Sequence, residues 1–148
     1  PDESSIPVTV LVNPVLSDYG EEKVLGWESC LSLVDFRGLV PRSTSVSLKA
    51  YDRDGDRIEK RATGFEAVVL QHEIDHLNGK VFLDRMEDLT KLAYQEEFEE
   101  FWLKKDPVSL KEIWNWATLW KKKPCIYIRS PELVLPIRTP MERRISRA

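Results

Sequence analysis

The first pattern along the chain is extended. Residues 8–12 (VTVLV) are a β-branched run closed by Asn13-Pro14, a turn signal. VLGWESCLSL (24–33) is the next extended candidate. In SVSLKAYD (45–52), Val46, Leu48 and Ala50 alternate with polar neighbours, the period of a half-buried strand. DRDG (52–55) then turns the chain and RIEKRAT (57–63) returns as a polar strand, so Asp54-Gly55 predicts a hairpin. At Gly64 the pattern becomes helical, with Thr63 and Glu66 spaced as a capping box and Asn78-Gly79 as the stop. This helix is apolar nearly all round at 67–70, which predicts a buried first half. A second helix is expected over about 88–105 and a third over 110–120, where Ile113, Trp116 and Trp120 share a face. The tail beyond Lys123 carries Pro124, Pro131, Pro136 and Pro140, which predicts an extended or loosely attached segment.

Strands, a hairpin and then a buried helix give an α+β fold: a mostly antiparallel sheet around a central helix, with further C-terminal helices. Two units are expected, residues 1–105 as the domain and 106–148 as a C-terminal extension.

Composition narrows the class. Hydrophobic residues make up 42% of the chain and charged residues 32%, an ordinary globular balance. A net charge of −3 gives no reason to expect DNA binding or attachment to a membrane surface. No apolar run approaches the roughly 18–20 residues of a membrane-spanning helix. Two cysteines, Cys30 and Cys125, are too few for a disulfide scaffold. The sequence opens PDESSIPVTVLVNP, without a methionine, and is expected to begin part-way through a longer chain.

The chemistry concentrates in QHEIDHLNG (71–79), which holds the only two histidines, His72 and His76. Four residues apart on a helix, they lie one turn apart on the same face and can reach one ion. Glu73 sits about 100° round from His72, where a general base beside the ion belongs. Asp75 points away from the histidines and suits a helix surface or a supporting role behind the ligands. A third ligand must be a cysteine, a carboxylate or water. Cys30, Cys125 and the carboxylates of 96–100 all qualify by type.

ESCLS (28–32), RGLVPR (37–42), the DRDG hairpin and GFEAVVLQHEIDHLNGKVFLDRM (64–86) together resemble the peptide deformylase family. The likeness runs from about Val8 to Met86, and more loosely to about 105. The family's cysteine and histidine motifs are present in order. Its glycine-rich first motif, ending in glutamine, does not occur in this sequence and is expected before Pro1. Ser29 stands where the family usually has glycine, which is tolerable if φ there is negative.

The resemblance implies Cys30 as the third ligand beside His72 and His76, holding one divalent metal. That metal would be Fe(II) physiologically, with Zn, Ni or Co able to take its place. It also implies removal of the formyl group from N-formylmethionyl nascent peptides, with Glu73 moving the proton and the backbone N–H of Leu31 donating to the oxyanion. Phe65, Val68 and Val69 share the face of His72 and are candidates either for a methionine pocket or for core. Glu28 and Arg42 resemble a charged pair bracing the cysteine strand, and Gln71 is expected to orient a backbone or ligand group.

Two other readings stand beside this one. A zinc endopeptidase would take its third ligand from Glu96, Glu97, Glu99 or Glu100. A metal-binding but catalytically incomplete relative would use its basic, tryptophan-bearing C-terminal region, through Trp114, Trp116, Trp120 and Lys121–Lys123, to contact a ribosome or another protein. Formylated starts imply a bacterial cytoplasm, or an organelle.

Overall fold

A computed structural model describes residue 6, residues 8–103 and the backbone of 126–129. Two sheets flank one long helix. The first sheet has the order β5 (Arg57–Thr63), β4 (Ser45–Tyr51), β1 (Thr9–Ser17), with Ile126–Arg129 (β7) running parallel beside β1. The second is β2 (Lys23–Cys30), β3 (Leu33–Ser43), β6 (Leu92–Tyr94), all antiparallel. The helix α1 spans Gly64–Leu77. The α+β class with antiparallel pairing is as the sequence indicates, but there are two sheets rather than one.

The hairpin of β4 and β5 follows its pattern. Val46, Leu48 and Ala50 face inward, packing with Leu11, Ala67, Leu70 and Ile74. Its turn is closed by Asp52, whose Oδ1 accepts the N–H groups of Asp54 (2.9 Å) and Asp56 (2.8 Å), while Gly55 takes φ +91°. Such an aspartate replaces backbone partners that a tight turn leaves unmet.

Four expectations are corrected. Asn13-Pro14 does not end β1; the strand continues to Ser17 through a register shift between Val12 and Val15, with Asn13 at φ +52°. The turn residues make a bulge instead, because β4 offers a partner on both sides of it. The second extended segment stops at Cys30, and residues 33–43 form a strand of their own despite Pro41. Only Phe36, Arg37 and Gly38 of β3 pair with β6, so Pro41 lies where β3 has one partner strand and a missing N–H is tolerated. Gly38 is required there: a Cβ would sit 2.6 Å from both Phe82 and Met86.

The Thr63 side chain makes no capping bond, and Glu66 instead pairs with Lys60 of β5. Residues 88–94 are not α-helical. A 3₁₀ turn (Leu89–Lys91) leads into β6, and only then does α2 (Gln95–Glu97) open into a π-helical turn, Phe98–Leu103. Phe98 drives this arrangement by packing fully buried on Trp27 at 4.8 Å between ring centroids. The helix expected over 110–120 and most of the proline-bearing tail, Cys125 included, lie outside the described residues. No described helix is long and apolar enough to cross a membrane.

Candidate metal centre

Two chain segments bring three donors to one point. Cys30 ends β2 just before the Leu31–Ser32 turn, and His72 and His76 lie one helical turn apart on α1. The α1 face that bears them is held against β3 by Gln71. Its Oε1 accepts the Ser43 N–H (3.1 Å) and its Nε2 donates to the carbonyls of Ser43 and Ala67 (each 2.9 Å). Gln71 therefore orients backbone, tying the helix to the end of the strand.

The donor atoms of Cys30, His72 and His76 all lie within 4.8 Å of one another. Cys30 Sγ is 3.3 Å from His76 Nε2, which is 3.2 Å from His72 Nε2. Tetrahedral bonds of the usual zinc lengths would space two nitrogens about 3.3 Å apart and a nitrogen and a sulfur about 3.5 Å apart. The donor set therefore fits a divalent metal. Ring orientation is fixed from behind, since His72 Nδ1 bonds Glu28 Oε2 at 2.8 Å and leaves Nε2 toward the other donors.

Electrostatics agree. Burial pushes the His72 imidazole down, but its bonds to Cys30 and Glu28 outweigh this and carry it up to about 9. Burial pushes the Cys30 thiol up, yet the bonds from His72 and the Ser32 N–H, the latter at 3.3 Å, bring it below its ordinary value. The pocket thus favours a thiolate beside an imidazolium, and a metal bound there would take the place of the imidazolium proton. Burial likewise opposes ionisation of Glu28, but His72 and Arg42 hold it below the ordinary carboxylate range.

Behind the ligands Arg42 spans two carboxylates. Its Nε and Nη2 grip Glu28 at 2.7 and 3.0 Å, and its Nη1 reaches Asp75 at 2.6 Å. Glu28, Arg42 and Asp75 are all buried. Asp75 is therefore not on the helix surface, and it also binds Arg85. Arg85 carried no motif of its own in the sequence; its only signal was a basic residue in the FLDR turn following α1.

The remaining candidates fall as follows. Glu73 is half-buried on α1, close enough that its charge favours the His72 imidazolium. Leu31 occupies the turn directly after Cys30, with its side chain exposed. Ser29 is buried and keeps a negative φ. Phe65, Val68 and Val69 form a buried cluster with Ile6 and Val24 packed against it. Among the described residues, no carboxylate from 96–100 joins the cluster of metal donors, which removes the ligand that the endopeptidase reading requires.

A family model for polypeptide deformylase matches residues 1–92. Peptide deformylase 1 of Bordetella pertussis is 48% identical over 96 residues, covering 65% of this chain and 54% of its own. Among solved structures, a class I type b peptide deformylase from Acinetobacter baumannii, with Met-Ala-Ser bound, shares 42% identity at a TM-score of 0.50, over 51% of this chain and 48% of that one. The peptide deformylase of Thermotoga maritima gives 32% identity and a TM-score of 0.51, over 53% of each chain. The present chain spans about half the length of the curated relatives it matches. With its cysteine and both histidines converging on one point in the segment that the family model matches, the chain belongs to the peptide deformylase family.

Proposed function

We propose that this protein hydrolyses the formyl group from N-formylmethionyl peptides, and that Cys30, His72 and His76 hold its metal. The observation that carries this is the convergence of those three donors, with Glu28 fixing His72 from behind. The tripeptide bound to the Acinetobacter relative begins with methionine, which supports a substrate of that kind here.

A divalent metal held by Cys30, His72 and His76 would supply Lewis acidity, which lowers the pKa of a water and polarises a formyl carbonyl. Ferrous iron is the proposed resident, with zinc, nickel or cobalt able to replace it, since thiolate and imidazole suit all four. Glu73 takes a proton from the attacking water and gives it to the departing amine nitrogen, so that formate leaves. The Leu31 N–H donates to the carbonyl oxygen as negative charge builds there. Glu28 and Arg42 keep His72 from turning, and Gln71 keeps α1 in register with β3. Val68 and Val69, with Phe65, wall the methionine side chain from the same helix face as His72.

Residues 1–105 are proposed as the metal-holding unit and 106–148 as an appended segment, with a ribosome as its candidate partner. The bacterial origin of the Bordetella relative supports a bacterial cytoplasm, with an organelle as the alternative.

The test is formate release from a formyl-Met tripeptide by the protein loaded anaerobically with Fe(II) or Ni(II). Turnover is expected in the wild type, and Glu73→Ala should keep its metal while losing about 10²–10⁴ in rate. Stoichiometric metal without turnover in the wild type would sink the proposal. It would favour a metal-binding but catalytically incomplete chain.

A further inference from the structure

The buried charges behind His72 continue outward to a residue that no motif marks. We propose that Arg85 is a positioning residue for the metal centre, acting on His72 through Asp75, Arg42 and Glu28. This rests on Cys30, His72 and His76 being the metal ligands.

The path is one unbroken set of bonds. His72 Nδ1 meets Glu28 Oε2 at 2.8 Å, and Glu28 receives Arg42 at 2.7 and 3.0 Å. Arg42 Nη1 donates to Asp75 Oδ2 at 2.6 Å. Arg85 closes the path with Nε at 3.1 and 3.0 Å from the two Asp75 oxygens, and with a further bond from Nη2 to Oδ1. The inner members are nearly sealed: Glu28 is 0% exposed, His72 2%, Asp75 4% and Arg42 5%. The Arg85 side chain is 40% exposed and is the outermost member of the set.

Charge balance gives the mechanism. Two carboxylates face two guanidinium groups, and without Arg85 both carboxylates must share Arg42. Asp75 would then draw Arg42 toward itself and loosen the two bonds on Glu28. Glu28 would lean harder on the His72 Nδ1–H, changing the tilt and donor strength of the imidazole at Nε2. The effect reaches the ligand because Asp75, Arg42 and Glu28 are nearly buried and their charged atoms are held chiefly by one another.

A plainer role would be to pin the 3₁₀ turn Phe82–Arg85 onto α1. The two roles can be separated, because Arg85, Asp75 and Arg42 line a cavity of about 530 Å³ together with Tyr19, Lys23 and Glu87. Truncating Arg85 leaves room there for a free guanidinium ion to reach Asp75, which restores the charge without restoring the covalent tie to the turn.

The experiment uses Co(II) as probe, reading its dissociation constant and the thiolate-to-cobalt charge-transfer band in the purified protein. Arg85→Ala should weaken Co(II) binding about three- to tenfold, less than the roughly 10–100-fold typical of losing a direct partner of a ligand, and should shift the band. Millimolar guanidinium should return both toward wild type, while Arg57→Ala, a surface arginine paired with Glu59, should change neither. Unchanged affinity and band in Arg85→Ala would overturn the proposal, as would a loss that guanidinium does not reverse. Should Arg85→Ala fail to fold, Arg85→Gln decides: a wild-type band and affinity overturn the proposal, and a shifted band with weakened binding upholds it. A wild type with no thiolate band sinks the ligand assignment, and the positioning role with it; loss confined to the Arg85 variants leaves the ligands standing.

Discussion

The β2–β3 and β4–β5 hairpins are both antiparallel pairs next to α1, and they place their charges oppositely. On β4–β5 the charges lie outward: Lys49 and Glu59 meet at 3.3 Å with about half of each side chain in water. Arg57 adds to Glu59 from the same surface. On β2–β3 one ion pair lies inward, with Arg42 of β3 gripping Glu28 of β2 where both are nearly sealed from solvent. The outer pairs gain little, because water screens them and long side chains lose freedom in forming them. The inner pair costs several kcal/mol of desolvation per ion, which only good geometry and further hydrogen bonds can offset. Glu28 and Arg42 meet that condition through His72 and Asp75. A scaffold hairpin can be built from alternation alone; a hairpin that braces a metal ligand needs a buried ion it would otherwise avoid.

The contrast can be broken from either side. Arg42→Ala should have the largest effect, about 3–5 kcal/mol lost in chemical denaturation, because it strands the Glu28 and Asp75 carboxylates in the interior. Metal affinity should fall in the same variant, which a titration with Co(II) would show. Leu48→Ala in β4 should cost a comparable or smaller amount, about 2–5 kcal/mol, since Leu48 is fully buried. Its metal affinity should stay at the wild-type value; a parallel loss would mean that the scaffold hairpin and the site are not separable. Glu59→Ala should change stability by no more than about 1 kcal/mol and leave the metal untouched. A larger loss there would erase the distinction between the two hairpins.

Legibility in the sequence follows the same division. The β4–β5 hairpin was readable because one face meets core and the other meets water, so Val46, Leu48 and Ala50 announce themselves by period. β3 was not, because its buried positions Gly38, Val40, Arg42 and Ser43 include only one large apolar residue, so no hydrophobic period marks them, and Pro41 argues against a strand on local grounds. The segment 88–94 looked helical by composition, but β3 offered Leu92–Tyr94 an open edge and long-range pairing prevailed over local propensity. Thr63 and Glu66 had the spacing of a capping box, yet Lys60 on the neighbouring strand captured the glutamate.

The site divides in the same manner. The pair His72 and His76 is fixed by helical geometry within five residues, so the sequence alone determined that half of the donor set, together with the helix that bears it and the turn that ends it. Cys30 lies 42 residues before His72, and the residues alone left it only modestly ahead of Cys125 and the carboxylates of 96–100 until resemblance favoured it. Only the folded chain decided that β2 delivers its last residue to the helix face, that Asp75 is buried rather than solvated, and that Arg85 completes its charge. These are contacts between residues far apart or on different elements, and no local period encodes them. They exist because a buried carboxylate must find a cation, and the tertiary packing settles which cation is within reach.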